Sequence, residues 1–219
     1  MSFLSDLLSP FSFLWDWLTP DVKQDGMLVS KTGTNQFIPV IYGEQRASGI
    51  IVFKRSSDIS GGPFNDYLHY VIIICEGEIE ELGTVYFDNI SQYDRQYDSR
   101  YYHIERFTGA DDQIACQTLI DHRIGWSSQS KLSGLAYLYV RLRQDKDLSK
   151  WKGEPEVTVM VKGKKVKNLA TNVFEYSTSP PYCLADYLTR KRYGKGADQT
   201  ILNVPSFIAS AAKTSSYVN

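Results

Sequence analysis

Four carboxylates crowd residues 76–81: Glu76, Glu78, Glu80 and Glu81. Residues two apart on a strand share a face, so Glu76, Glu78 and Glu80 have the spacing to converge as an acid pair for hydrolysis or as a calcium site. Glycosidase carboxylates must flank a cleft at a set separation, which spacing alone does not supply. A solvated strand face is the preferred reading. Asp111-Asp112 is read as acid complementing a helix start, not as a metal site. The three histidines, His69, His103 and His122, make no His-Glu-x-x-His and no i,i+4 pair, so zinc has little support. His69 lies in a strand pattern and reads as a hydrogen-bonded structural residue. Neither a Gly-x-Ser-x-Gly elbow nor a phosphate-binding Gly-x-x-x-x-Gly-Lys-Ser/Thr loop occurs. No cofactor is implied, and catalytic and metal-binding residues are assigned to none.

Two basic groups are candidates for phosphate contact: Lys162, Lys164, Lys165 and Lys167, then Arg190, Lys191, Arg192 and Lys195. Acids elsewhere balance them, for a net charge of −1. A solvated hairpin tip and a basic helix end are the simpler readings, and specific nucleic-acid binding is not expected. Fifteen tyrosines are many for 219 residues. Tyr93, Tyr97, Tyr101 and Tyr102 sit among charged residues at 89–106, a loop-like stretch with the composition of a contact surface or of a solvated loop.

The elements that must hold these residues are mostly strands. Residues 49–54 are β-branched, and residues 71–74 are apolar without alternation, which suits a strand covered on both faces. With 84–88, the latter reads as a core hairpin over 67–88, turning at Gly77. Residues 134–142 form another strand, and 157–166 read as a hairpin around Gly163. Residues 37–42 carry Pro39 and read as an edge strand or an extended crossing segment. Thr108 and Asp111 predict a capped helix through Ile114, Ala115, Thr118 and Leu119. Ser179-Pro180-Pro181 starts a second helix that buries Leu184, Tyr187 and Leu188, with Gly194 as its C-cap. A last helix begins near Pro205 and buries Phe207, Ile208, Ala211 and Ala212. About seven strands and three or four helices, without regular alternation, give an α+β, mainly β class. Cys75, Cys116 and Cys183 read as reduced core residues.

Residues 1–20 stand apart. Phe3, Leu7, Phe11, Leu14, Trp15 and Leu18 recur at near-helical spacing, with Asp6 and Asp16 but no Lys or Arg. That charge is wrong for a secretory signal or for anionic lipid, and the polar interruptions and Pro10 argue against a membrane span. An amphipathic arm docked on a partner and a helix folded on its own domain both remain open. Residues 21–36 read as a linker, leaving 37–219 as a β-rich domain of one or two subdomains.

Several blocks together carry a resemblance: Pro-Val-Ile-Tyr-Gly-Glu-Gln-Arg at 39–46, Tyr-Leu-His at 67–69 with Cys-Glu-Gly-Glu-Ile at 75–79, Gly-Ala-Asp-Asp-Gln at 109–113, Gly-Leu-Ala-Tyr-Leu-Tyr-Val-Arg-Leu at 134–142, Val-Lys-Gly-Lys-Lys-Val at 161–166, Tyr-Ser at 176–177, Cys-Leu-Ala-Asp-Tyr-Leu-Thr at 183–189, and Arg-Tyr-Gly-Lys-Gly at 192–196. In their order and spacing they resemble the N-terminal portion of the central tail hub, or tail tip attachment, proteins of long-tailed bacteriophages. The resemblance implies a virion structural protein with a tube-like β-barrel and peripheral helices. It implies a homotrimer at the distal end of the tail tube, in contact with distal tail proteins and the tape measure protein, and assembled in the host cytoplasm. No catalytic residue belongs to these blocks. Relatives of this kind run on for several hundred residues, so receptor binding, a property of their distal part, is not carried over. Tyr93, Tyr97, Tyr101 and the apolar residues of the arm are the expected partner contacts. A cell-wall hydrolase using the acids of 76–81 and a carbohydrate-binding module using the tyrosine loop are the competing classes.

Overall fold

The computed structural model describes residues 31–32, 36–58, 66–94, 97, 99–143, 151 and 153–215. The arm at 1–20 and most of the linker therefore lie outside the described residues. The elements in chain order are β1 (Lys31–Thr32), β2 (Glu44–Ser48), β3 (Ile50–Ser57), β4 (Tyr67–Glu76), β5 (Ile79–Phe87), β6 (Ile90–Ser91), β7 (Tyr102–Thr108), α1 (Gln117–Asp121), β8 (Leu135–Arg143), β9 (Val157–Lys167), β10 (Phe174–Tyr176), α2 (Pro180–Thr189), a 3₁₀ turn (Gln199–Ile201) and α3 (Val204–Ser215). The class is mainly β, with curled antiparallel sheets forming a half-barrel.

One sheet runs β1-β3-β4-β8-β7 and the other β10-β9-β5-β6, with β2 also on β9. Among the described residues only the two-residue β1–β3 ladder is parallel. The first sheet is covered on both faces, as the unbroken apolar run of β4 requires. Ile72, Ile74, Leu138 and Val140 turn inward against Leu82, Val85, Phe87, Val159 and Val161 of the other sheet. Val71, Ile73, Tyr137 and Tyr139 turn outward, beside Phe53 and Phe107 of the neighbouring strands, to pack with Cys116, Leu119 and Trp126. Burying these side chains contributes on the order of 1.5–3 kcal/mol each.

The expected hairpin over 67–88 does not form. The chain turns at Gly77 (φ +90°), but β4 pairs with β3 and β8 whereas β5 pairs with β9 and β6. The turn is a corner at which the chain leaves one sheet for the other. A second corner lies at Gly49, between β2 and β3, where a side chain would collide with the Ile73 carbonyl and the Ile72 side chain. Residues 37–42 take the crossing alternative rather than the strand. They bridge the sheets through Glu76 N–H to the Pro39 carbonyl (2.8 Å), Lys164 N–H to the Ile41 carbonyl (2.7 Å) and Gly163 N–H to the Gly43 carbonyl (2.7 Å).

That bridge explains another departure. Gly163 is not a hairpin turn with positive φ; it sits inside one continuous strand, β9. It is glycine because the backbone of Ile41 crosses where its Cβ would be. Gly77 N–H also donates to the Gly134 carbonyl (2.7 Å), and the Gln113 amide ties Gly109 N–H (2.8 Å) to the Leu132 carbonyl (3.0 Å). Tyr42 reaches Asp186 of α2, and Glu76 reaches Arg192 beyond it. One corner of the molecule thus joins residues from 39–46, 75–79, 109–113, 134–142, 161–166, 183–189 and 192–196.

Other expectations need correction. Residues 102–106, read as loop, belong to strand β7, whose aromatic and charged residues pack at the edge of the half-barrel. The helix expected from Thr108 begins at Gln117 instead, with Cys116 at its N-cap and no side-chain cap. Gly109 takes positive φ and the Gln113 side chain caps its amide, which diverts the chain from a helix, and Ile114 is left exposed. Helix α2 starts where predicted, with prolines in its first turn. It buries Tyr182, Ala185 and Asp186, however, while Leu184 and Tyr187 are exposed. Its C-cap is Arg190, not Gly194, because the chain folds back over the helix end. In α3 Ala211 is buried, Phe207 and Ile208 are half-buried and Ala212 is exposed. Cys75 and Cys116 are buried free thiols, and Cys183 is a half-buried one.

Candidate functional site

The four acids do not converge. Because the chain turns at Gly77, Glu76 ends one sheet while Glu78, Glu80 and Glu81 belong to the approach and start of β5 in the other. Glu76 pairs with Arg192 (2.6 Å), Glu78 with Lys165 (2.8 Å) and Glu81 with Lys162 (2.7 Å). The expected basic tip dissolves with them, since Lys162 and Lys165 are spent on these pairs along β9. Lys164 is buried, with its ammonium 5.6 Å from the centre of the Tyr193 ring. Burial pushes its pKa down, and the nearby Asp186 carboxylate works against that. Among the described residues no three His, Cys, Asp or Glu side chains are grouped to hold a metal ion.

A second polar chain was not visible in the sequence. Ser57 Oγ lies 2.8 Å from His69 Nε2, and His69 Nδ1 lies 2.9 Å from the Tyr139 hydroxyl. His122 stands beside it, 3.5 Å from Ser57 Oγ and 3.1 Å from the Arg141 guanidinium. The order serine, histidine, third group mimics a nucleophile relay. Its chemistry does not. His69 is fully buried, and desolvation, then His122 and Arg141, push its pKa down to about 3. An imidazole that weak is a poor acceptor for a serine proton, and the third group is a phenol where a carboxylate would stabilise imidazolium. The cluster instead satisfies polar groups in a covered sheet face. Nearby, Glu105 accepts from Thr118, from His103 (2.9 Å) and from Cys116 (3.5 Å). Burial works to raise its pKa, but these hydrogen bonds outweigh it and hold the carboxyl low. Burial drives the Cys75 and Cys116 thiols up to about 12, so neither is a ready nucleophile.

The tyrosines divide. Tyr93 is 73% exposed. Tyr97 donates its hydroxyl to the Phe87 carbonyl (3.0 Å) and stacks on Trp151 at 5.3 Å. Tyr101 is partly buried against the main core, and Tyr102 donates to the Gln92 carbonyl (2.9 Å). Much of this aromatic cluster therefore builds the wall on which Tyr93 stands.

The most organised polar site lies at α2. Asp186 is 7% exposed. Its Oδ2 accepts from the Tyr42 and Tyr193 hydroxyls, both at 2.7 Å, and its Oδ1 accepts from Arg190 Nε at 2.9 Å. Both phenols have their pKa raised, by burial first and then by the carboxylate, so they stay protonated and donating. Tyr193 reaches Asp186 because residues 194–197 wrap back onto the helix, with Lys195 N–H on the Tyr187 carbonyl (3.0 Å) and Ala197 N–H on the Leu188 carbonyl (2.9 Å). Val166, Tyr182 and Ala211 pack beneath, joining both helices to the end of β9. On the other side of Asp186 a cleft of about 220 Å³ opens between β10, α2, the 3₁₀ turn and the start of α3. Its lining mixes Leu169, Phe174, Leu202 and Val204 with Lys167 and Arg190. The i,i+4 spacing of Asp186 and Arg190 was readable from sequence; Tyr42, 144 residues away, was not.

No family model matches the chain. No curated protein matches it. Among solved structures it is similar to a chain described as "Virion of native gene transfer agent (GTA) particle", with a TM-score of 0.42 and 16% identity over 73% of this chain and 38% of that one. This chain thus spans well under half of that chain's length. At that TM-score the likeness carries no weight for fold or function.

Proposed function

We propose that the chain is a structural subunit of a bacteriophage tail tip: an oligomeric hub at the distal end of the tail tube that joins tube, tape measure protein and distal tip proteins. The observation that carries this reading is the corner described above. Most of the blocks on which the hub resemblance rests, scattered from residue 39 to residue 196, meet there through backbone hydrogen bonds, the Tyr42–Asp186 contact and the Glu76–Arg192 pair, while Tyr67–His69 lies at the other end of β4. Backbone hydrogen bonds and a buried tyrosine–carboxylate contact of this kind fix shape, the contribution expected of an architectural part. The half-barrel supports the same reading. Past Ile51 the outer edge of β3 has no neighbouring strand among the described residues, and β10 is an edge of the second sheet. Strand edges are templates for pairing, and unlike edges on successive subunits give heterologous contacts that close into rings.

In this role the protein acts by shape and assembles into the virion. Tyr93 and the sheet edges are the surfaces offered to neighbours, and the homotrimer is the expected ring. Light scattering of the purified chain, alone and mixed with tail tip partners, tests the proposal. A threefold species is expected in at least one of the two conditions. A strict monomer in both overturns it, as would peptidoglycan release that is lost in Glu78→Gln.

A further inference from the structure

We propose that the cleft beside α2 is the docking site for the chain's own N-terminal arm, residues 1–20. The cleft walls are apolar where Leu169, Phe174, Leu202 and Val204 meet, and the surface around the opening is apolar too, with Phe174 54% and Ile201 60% exposed. Solvent-facing apolar groups on two sides of one concave site mark a surface that is covered in use. At about 220 Å³ the cleft is too small for a drug-sized ligand and suits an anchor side chain or two from a peptide.

Charge selects the occupant. Lys167 stands in the cleft wall, and exposed Lys191 and Lys195 lie beyond Arg190. Arg190 itself is offset by Asp186, and Arg192 by Glu76; of the remaining charges, Lys167, Lys191 and Lys195 outnumber Asp198, which caps the 3₁₀ turn, and Glu175, which accepts from Asn168, so the balance is positive. The arm is complementary: Leu14, Trp15 and Leu18 form its apolar stripe, and Asp6 and Asp16 are its charged side chains, with no Lys or Arg before Lys23. Asp16 follows Trp15 directly, so an indole seated in the cleft brings a carboxylate to the basic rim.

Tethering favours the arm of the same chain over that of a second copy. Tyr42 is bonded to Asp186, which itself lines the cleft, so the chain is pinned beside the site. From there residues 21–36 reach at most about 55 Å, enough to return, and a linker of this length holds the arm near millimolar effective concentration. This contact does not depend on the hub role.

The test uses the full chain with Trp15→benzoylphenylalanine, irradiated and mapped by mass spectrometry in an equal mixture of ¹⁵N-labelled and unlabelled protein. Adducts are expected on residues 167–174 and 185–204, joining peptides of the same isotope. The Lys167→Glu/Lys191→Glu pair changes only exposed or half-exposed side chains and is expected to cut adduct yield at least threefold, whereas Lys162→Glu, outside the cleft lining and paired with Glu81, leaves it unchanged. Adducts elsewhere, no adducts, or a yield indifferent to the cleft lysines overturn the proposal. Mixed-isotope adducts overturn it in favour of exchange between copies.

Discussion

The contact between Tyr42 and Asp186 ties the crossing segment to the helical layer, and its removal has a calculable cost. Asp186 has a side chain only 4% exposed, so water cannot replace a lost donor. A hydrogen bond from a neutral hydroxyl to a buried carboxylate contributes about 1.5–3 kcal/mol. Arg190 is 43% exposed and returns to solvent readily, so its share is small. Tyr42→Phe should therefore cost about 1.5–2 kcal/mol, lowering Tm by about 3–8 °C in a domain of this size. Asp186→Asn should cost more, because it weakens both phenol contacts at once. In a double-mutant cycle followed by urea unfolding, the pair should show a coupling of at least about 1 kcal/mol. The phenols add a pH signature. Their folded-state pKa values lie above the usual tyrosine value near 10, so above about pH 10 the unfolded chain loses protons that the folded chain keeps. Stability must fall as pH rises through that window, and less steeply in the Tyr42→Phe/Tyr193→Phe variant. Additive single effects within about 0.5 kcal/mol, with an unchanged alkaline limb, would refute the reasoning.

Two further outcomes are expected. His69 titrates near 3 when folded and near 6.5 when unfolded, so its contribution is complete above about pH 6.5 and lost as pH falls toward 3; His69→Gln should flatten the stability profile between pH 6.5 and 5, where carboxylates contribute little, and NMR should find the wild-type ring neutral at pH 5. Glu78 and Glu81 form exposed pairs at the surface, so the Glu78→Gln/Glu81→Gln variant should lose under about 1 kcal/mol in urea unfolding and keep whatever oligomeric state the parent has.

Local patterns carried well where the physics is local. The unbroken apolar run of β4 required cover on both faces, and Ile72 and Ile74 do enter one cluster and Val71 and Ile73 the other, with Cys75, past the irregularity after Ile73, joining the first. Two prolines after Ser179 marked the start of α2 because a first helical turn tolerates missing donors. Patterns failed where a distant backbone intervened. Glycine reads as a turn, yet Gly163 is a crossing point for Ile41, and Thr108 with Asp111 reads as a cap, yet Gln113 captures the Gly109 amide. The acids of 76–80 could converge only if they shared one strand face, and the corner at Gly77 parts Glu76 from the others.

By itself, then, the sequence determined the strand-rich class, the both-face burial of β4, the starts of α2 and α3, and the absence of the zinc, serine-elbow and phosphate-loop motifs. Those follow from side-chain periodicity and from the conformational limits of proline, which act over a few residues. Only the tertiary structure decided that β4 and β5 part into different sheets, that the acids of 76–81 are divided among separate cations, and that Tyr42 closes on Asp186. Each of these depends on which segments meet across more than a hundred residues or on which sheet a strand joins. Such pairings are set by the collective burial of the whole core and leave no signature in the local order of residues.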